Sequence, residues 1–274
     1  MTHTTIGTET GATLKAAPGP SIARGGFRAV LLPLALAFAV LTAWQIVVTV
    51  MKIPSVILPG PVSIAEYIFS KFDILIVHAV PTTLESLAGF LLAVVLGIAI
   101  AILITYSNAA REALYPNLVF FQLIPKIALA PLFIIWLGVG TQSRVAFSVF
   151  IAFFPIVIAT SAGLTSVDKS MLRLCRSLTA SEWQVFTSVR FPAAIPHIFS
   201  GMKIAVTLAI IGVIIGEFIT SQAGLGYLII LATSRADTEV SMAAIVVLCV
   251  CGLLLYGLVA LAEWLARRFY SDGT

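Results

Sequence analysis

The sequence predicts an all-α polytopic membrane protein with six transmembrane helices. Three observations lead there. Of its 274 residues, 60% are hydrophobic and only 10% charged, where a soluble domain carries about 25% charged residues. Six apolar runs reach the roughly 20 residues needed to cross a bilayer. The Lys and Arg residues between those runs divide unevenly, as the positive-inside rule requires.

Residues 1–28 are rich in Thr, Gly, Ala and Pro, lack apolar periodicity, and read as a disordered cytoplasmic tail. The apolar run behind them is too long for a signal peptide, and no small-residue cleavage site follows near Met51. A transmembrane domain over 29–266 begins with a span at Ala29–Val50. Ile53–Pro81 is interrupted by Pro54, Pro59, Pro61 and several charges, and predicts an interfacial loop with a short amphipathic helix near Val62–Phe72. Further spans are expected at Leu84–Thr105, Leu114–Leu137, Val145–Leu164, Ile198–Thr220 and Val240–Ala262, followed by a cytoplasmic tail over 267–274.

Six spans put both termini on one side. The loops on that side hold Lys15, Arg24, Arg28, Arg111, Lys169, Arg173, Arg176, Arg190, Lys203, Arg267 and Arg268. The opposite loops hold only Lys52, Lys71, Arg144 and Arg235. The richer side is expected to be cytoplasmic, so both termini and the charged stretch 168–197 face inward. The net charge of +4 fits such loops and does not argue for nucleic acid.

Within 168–197 the apolar residues Met171, Leu172, Leu174, Cys175 and Leu178 recur at helical spacing. Thr179 followed by Glu182 reads as a capping box starting a second helix at Ala180. Phe191-Pro192 is expected to end it. The result would be two short amphipathic helices lying along the cytoplasmic surface; resting on lipid headgroups is the plainer role for such a pair.

Polar residues within spans default to functional candidates. Lys126 stands mid-span between Pro125 and Pro131, Gln122 is one turn earlier, and Glu217 lies toward the outer end of the fifth span. Together they suggest a polar translocation path, with Lys126 favouring an anion. A Lys126–Glu217 pair tying two spans, or a snorkelling lysine, explains the same residues. Gly212 and Gly216 permit close helix packing, within the chain or between copies. Cys175, Cys249 and Cys251 form no metal or disulfide pattern, and His78 and His197 are isolated. No phosphate-binding G-x-x-x-x-G-K-[ST] loop and no catalytic cluster occurs, so no catalytic residue and no metal or cofactor site is expected on this chain.

The stretch from Leu178 through Ala180, Ser181, Trp183, Phe186, Val189, Pro192, Ala193, Ala194 and Pro196 resembles the E-A-A-x-x-L-G-A-S-x-W-x-x-F-x-x-V-x-L-P-A-A-L-P segment of permease subunits of ATP-binding-cassette importers. The branch is the one handling sulfonates, nitrate, taurine and thiamine-pyrimidine or riboflavin-type solutes. Leu58-Pro59-Gly60-Pro61, Gly89-Phe90, Phe154-Pro155-Ile156 and Gly224 through Ile229 are similar to it as well. The resemblance implies the type I importer permease fold, a homodimer in the bacterial inner membrane, two cytoplasmic ATPase subunits carrying ATP and Mg, and an external solute-binding protein. It also implies that Leu178, Thr179, Ala180, Ser181, Glu182, Trp183 and Phe186 dock on the ATPase. The sequence departs from the pattern where Arg173, Leu174 and Cys175 replace the Glu and two Ala, where Thr179 replaces Gly, and at Glu85. The competing class is an ion-coupled secondary transporter, which predicts several acids within the spans and repeated half-folds; only Glu217 is expected well inside one.

Overall fold

The computed structural model describes residues 25–220 and 222–271. The expected tail over 1–24 and the last three residues lie outside the described residues. Helix α1 (Gly25–Val50) begins within the expected tail, and the last helix runs past 266 to Ser271. None of the apolar window Leu31–Val50 is buried within the chain. The end of α1 is held by Gln45, whose Oε1 accepts from the Val62 amide at 3.2 Å and so caps α2 (Pro61–Ser70). Pro61 sits in the first turn of α2, where a missing N–H costs nothing.

The expected loop over Ile53–Pro81 is too long by ten residues. Helix α3 (Phe72–Tyr106) is 35 residues long and passes straight through Pro81. The proline forfeits one backbone bond. Packing holds the helix through it: Leu75 and Ala79 are buried against Leu225, Leu228 and Ala244.

The third span is broken. Ser107 Oγ caps α4 (Asn108–Leu123), the chain turns at Ile124-Pro125, a 3₁₀ turn covers Lys126–Leu129, and α5 (Ala130–Leu137) follows at 95° to α4. Pro125 cannot extend α4, and Pro131 is tolerated in the first turn of α5.

Helix α6 (Thr141–Thr165) packs between α3 and α9 (Phe191–Thr220), and α11 (Thr238–Ser271) closes the group. Phe90, Ala93, Ala152, Ile156, Ala205, Val206 and Ala209 meet there, with Leu255 and Val259. Small residues set the spacing. A Cβ on Gly212 would lie 2.7 Å from the Ser148 Cα, and one on Gly216 would lie 2.8 Å from Arg144. The G-x-x-x-G pair is therefore an α6–α9 contact inside the chain. Five described helices cross-match a bilayer in length, and the broken pair makes the sixth.

The segment between α6 and α9 differs from two surface helices. Helix α7 (Lys169–Ser177) is as expected, capped by Asp168 Oδ1 accepting from the Ser170 amide at 2.8 Å. That bond holds the Asp168 carboxyl below the usual carboxylate range. Helix α8 (Glu182–Val185) is a single turn that continues through a π turn, Phe186–Arg190, directly into α9. Phe191-Pro192 does not end the helix. The π turn before the proline bonds Phe191 to the Phe186 carbonyl, five residues back, and reseats the ladder just ahead of the missing donor.

Candidate functional site

The candidate side chains fall in three clusters. The first is the connection between α7 and α9. Helix α7 ends in a Schellman turn: the Ala180 amide reaches the Cys175 carbonyl at 3.0 Å, and Thr179 adopts φ 56°. The cap of α8 is Ser181, not Thr179. Ser181 Oγ accepts from the Gln184 amide, while Gln184 Oε1 accepts from the Ser181 amide at 2.8 Å. Two overlapping boxes exist in this sequence, and the left-handed residue at 179 leaves only the second in register.

The named side chains of this segment have different environments. Leu178 and Trp183 are 70% and 71% exposed. Glu182, Ser181 and Thr179 are exposed, and Ala180 is half-buried. Phe186 faces inward instead. Its ring lies 5.9 Å from Tyr106, 5.7 Å from Trp183 and 5.8 Å from Phe191, and it packs on buried Leu164, Ala194 and Ile198. Arg190 donates to the Leu164 carbonyl at 3.2 Å and covers Tyr106. The segment is thus a rigid platform on the ends of α3 and α6, presenting Leu178 and Trp183 outward. A groove of about 420 Å³ beside it is lined by Ile102, Tyr106, Glu182, Trp183 and Phe186.

The second cluster is the break. Lys126 is half-buried, with its ammonium 4.8 Å from the centre of the Phe154 ring; Gln122 is exposed one turn away. The structure does not pair Lys126 with Glu217. Glu217 belongs to a third cluster, at the far end of the bundle, and is 2% exposed. Its Oε1 accepts from Thr82 Oγ1 and its Oε2 from the Gly226 amide, both at 2.7 Å. Thr82 Oγ1 in turn accepts from the Leu225 amide at 2.8 Å, and His78 Nδ1 accepts from the Gly224 amide at 3.1 Å. Gly224, at φ 113°, lets the backbone press against the Glu217 carboxylate where a Cβ would collide.

That end also contains a pair absent from the sequence reading. Glu85, 6% exposed, accepts from Arg144 Nε at 2.7 Å and Nη2 at 2.5 Å, and from Thr141 Oγ1 at 2.9 Å. Because α3 starts at Phe72, Glu85 is well inside the helix, so Glu217 is not the sole acid there. The separation of 59 positions between Glu85 and Arg144 leaves no local signal; the small Gly216 that seats Arg144 is the nearest hint. Among the described residues no group of three or more His, Cys, Asp or Glu could hold a metal.

The family profile described as "binding-protein-dependent transport system inner membrane component" matches residues 93–269. The chain belongs to this family. A probable ABC transporter permease protein of Haemophilus influenzae is 36% identical over 237 residues, covering 86% of this chain and 96% of the relative. The formylaminopyrimidine transport permease of Halalkalibacterium halodurans is 35% identical, covering 72% of this chain and 80% of the relative. The inward-facing MetNI methionine ABC transporter superposes with a TM-score of 0.62 at 17% identity, over 71% of this chain and 97% of that one. The permease therefore has the type I importer permease fold and is a multi-pass inner-membrane transport component whose relatives are permeases rather than enzymes.

Proposed function

We propose that two copies of this permease form the translocation path of an ATP-driven importer for a small organic solute delivered by an external binding protein. ATP and Mg reside on two cytoplasmic ATPase subunits. Each ATPase receives one 178–186 segment, and closure of the ATPase pair drives the permease dimer between inward- and outward-facing states. The termini and this segment face the cytoplasm, where the Lys and Arg excess lies.

The observation that carries the reading is the exposure of Leu178 and Trp183 on a platform whose other aromatic, Phe186, is committed to the fold. Large exposed apolar side chains on a rigid turn make interface anchors. The groove of about 420 Å³ next to Trp183 gives a docking partner room to interlock. Gln122, Lys126 and Glu217 are assigned to the path with different weights. Lys126 and Gln122 border the break, whereas Glu217 acts on the path by fixing the 224–226 turn.

The Trp183→Glu variant tests docking. It is expected to reach the membrane in normal amount, since the side chain is 71% exposed, yet to co-purify with less than about a tenth of the ATPase, a loss in the range of one interface hot spot. Full retention of the ATPase overturns the assignment. Solute uptake into vesicles that persists without ATP hydrolysis, driven by an ion gradient, would overturn the importer reading itself.

A further inference from the structure

We propose that His78 is a proton-sensitive latch on α10 (Leu225–Ser234): its neutral imidazole ties the start of that helix to α3, and protonation of the ring releases it. Such regulation goes beyond the importer reading and holds whichever face of the chain lies outside.

A helix leaves its first amides without acceptors of its own. At the start of α10 three side chains from two other helices supply them. Gly224, just ahead of the helix, donates to His78 Nδ1 at 3.1 Å, Leu225 to Thr82 Oγ1 at 2.8 Å, and Gly226 to Glu217 Oε2 at 2.7 Å. His78 and Thr82 stand four residues apart and share one face of α3. Gly224, Leu225 and Gly226 are all buried, so an amide that loses its acceptor there is costly. The apolar contacts of α10 lie in a different core from those of α9. Leu225 and Leu228 pack on Leu75, Ala79 and Ala244, whereas α9 places Ala205, Val206 and Ala209 against Phe90 and Ala152. The three amide bonds sit where the two packed groups meet.

The three acceptors differ in chemistry. The Thr82 hydroxyl does not titrate. The Glu217 carboxylate already holds two donors, Thr82 and Gly226. An imidazole accepts only through an unprotonated nitrogen, so the Gly224 bond requires the neutral ring with its proton on Nε2. Histidine is the side chain whose charge ordinarily changes between about pH 5 and 8. Once Nδ1 carries a proton, it meets the Gly224 N–H donor to donor. His78 is half-buried, so water can deliver that proton.

The neighbours offer the imidazolium no partner that leaves α10 in place. From α10 comes the Tyr227 ring, 6.0 Å away. From α9 comes Glu217, held by Thr82 and Gly226. From α6 comes Arg144, closed on Glu85 of α3 itself. At the α2–α11 side, the Asp237 and Glu239 carboxylates bear on Tyr67. Among the described residues no ion pair includes His78. The protonated ring must swing away from Gly224 or draw Glu217 away from Gly226. Both routes free an amide at the start of α10.

The test uses the full chain, purified with its bound partners and placed in lipid nanodiscs, which open both faces to the buffer. Hydrogen exchange of the Gly224, Leu225 and Gly226 amides is measured as protection relative to the free peptide, at about pH 7.5 and about pH 5, on either side of an ordinary imidazole. Protection is expected to fall about fivefold on acidification, the scale of one hydrogen bond. His78→Asn sets a carbonyl acceptor that does not titrate near the place of Nδ1, and should stay protected at both values. His78→Phe removes the acceptor and should be poorly protected at both. Wild-type protection that does not fall, or an equal fall in His78→Asn, which would place the titrating group elsewhere, overturns the latch. Full protection in His78→Phe overturns it as well. ATPase capture by the same samples reports on the importer reading alone: its absence leaves the exchange result standing, and its presence does not rescue a latch that fails.

Discussion

The two ends of α3 solve opposite problems. Toward its first end, in the half holding Thr82 and Glu85, charged and polar side chains are buried and paired: Glu85 with Arg144 and Thr141, Glu217 with Thr82 and the Gly226 amide. At the other end, beyond Tyr106, apolar side chains are exposed: Met171, Leu174, Leu178 and Trp183. The first end spends hydrogen bonds to fix its own backbone. The second fixes its backbone with caps and with Phe186, and leaves a surface for another protein. The contrast predicts that substitutions at the first end act on stability, and that those at the second act on assembly.

Arg144→Met should have the largest effect. It leaves the Glu85 carboxylate buried with only Thr141, and removing one member of a buried pair costs about 3–5 kcal/mol. Thermal unfolding in detergent should show a large fall in melting temperature. Adding Glu85→Gln should recover much of it, because a neutral amide has no uncompensated charge to bury. A double variant no better than Arg144→Met alone would mean that the pair's role lies outside stability. Gly224→Ala should come next, at about 1–3 kcal/mol for a side chain held at positive φ, with further cost from collision with the Glu217 carboxylate. Across the molecule, Phe186→Ala should cost about 2 kcal/mol, below the 3–5 of a fully buried ring, because Phe186 is half-buried. Trp183→Glu should leave the melting temperature nearly unchanged; this difference between neighbouring aromatics is what separates platform from anchor.

The sequence shows the spans through apolar run length alone, and the third span's break through Pro125 and Pro131. It misplaces the start of α3 because Pro81 reads as a stop, whereas Leu75 and Ala79 are pinned by α10 (Leu225–Ser234) and α11. Packing from residues more than 140 positions away is not a local signal. The same holds for Glu85–Arg144, 59 positions apart, and for Thr82–Glu217, 135 positions apart. Gly212 and Gly216 announce a close approach but not its partner; Ser148 and Arg144 on α6 supply it. At the α7–α8 turn, Thr179–Glu182 and Ser181–Gln184 are equally valid caps on paper. What chooses between them is a backbone angle, φ 56° at Thr179, which only the glycine at that place in the resembled pattern suggests.

That angle sharpens the comparison most finely. A β-branched residue in the left-handed region is strained, and Thr179 is held there by the Schellman turn of α7 on one side and the Ser181 cap on the other. Its hydroxyl satisfies only the adjacent Leu178 carbonyl, at 2.7 Å. Glycine relieves the strain but loosens the unfolded chain, so Thr179→Gly should stabilise the turn by about 0.5–1 kcal/mol net. Slower hydrogen exchange at the Leu178 and Ala180 amides, both of which bond back into α7, would register the gain. If exchange quickens instead, Thr179 is not strained in the assembled state and the turn takes its shape from the partner. If it slows while ATPase capture is unchanged, the platform is preset by this chain, and the exposed end of the molecule is as rigid as the buried one.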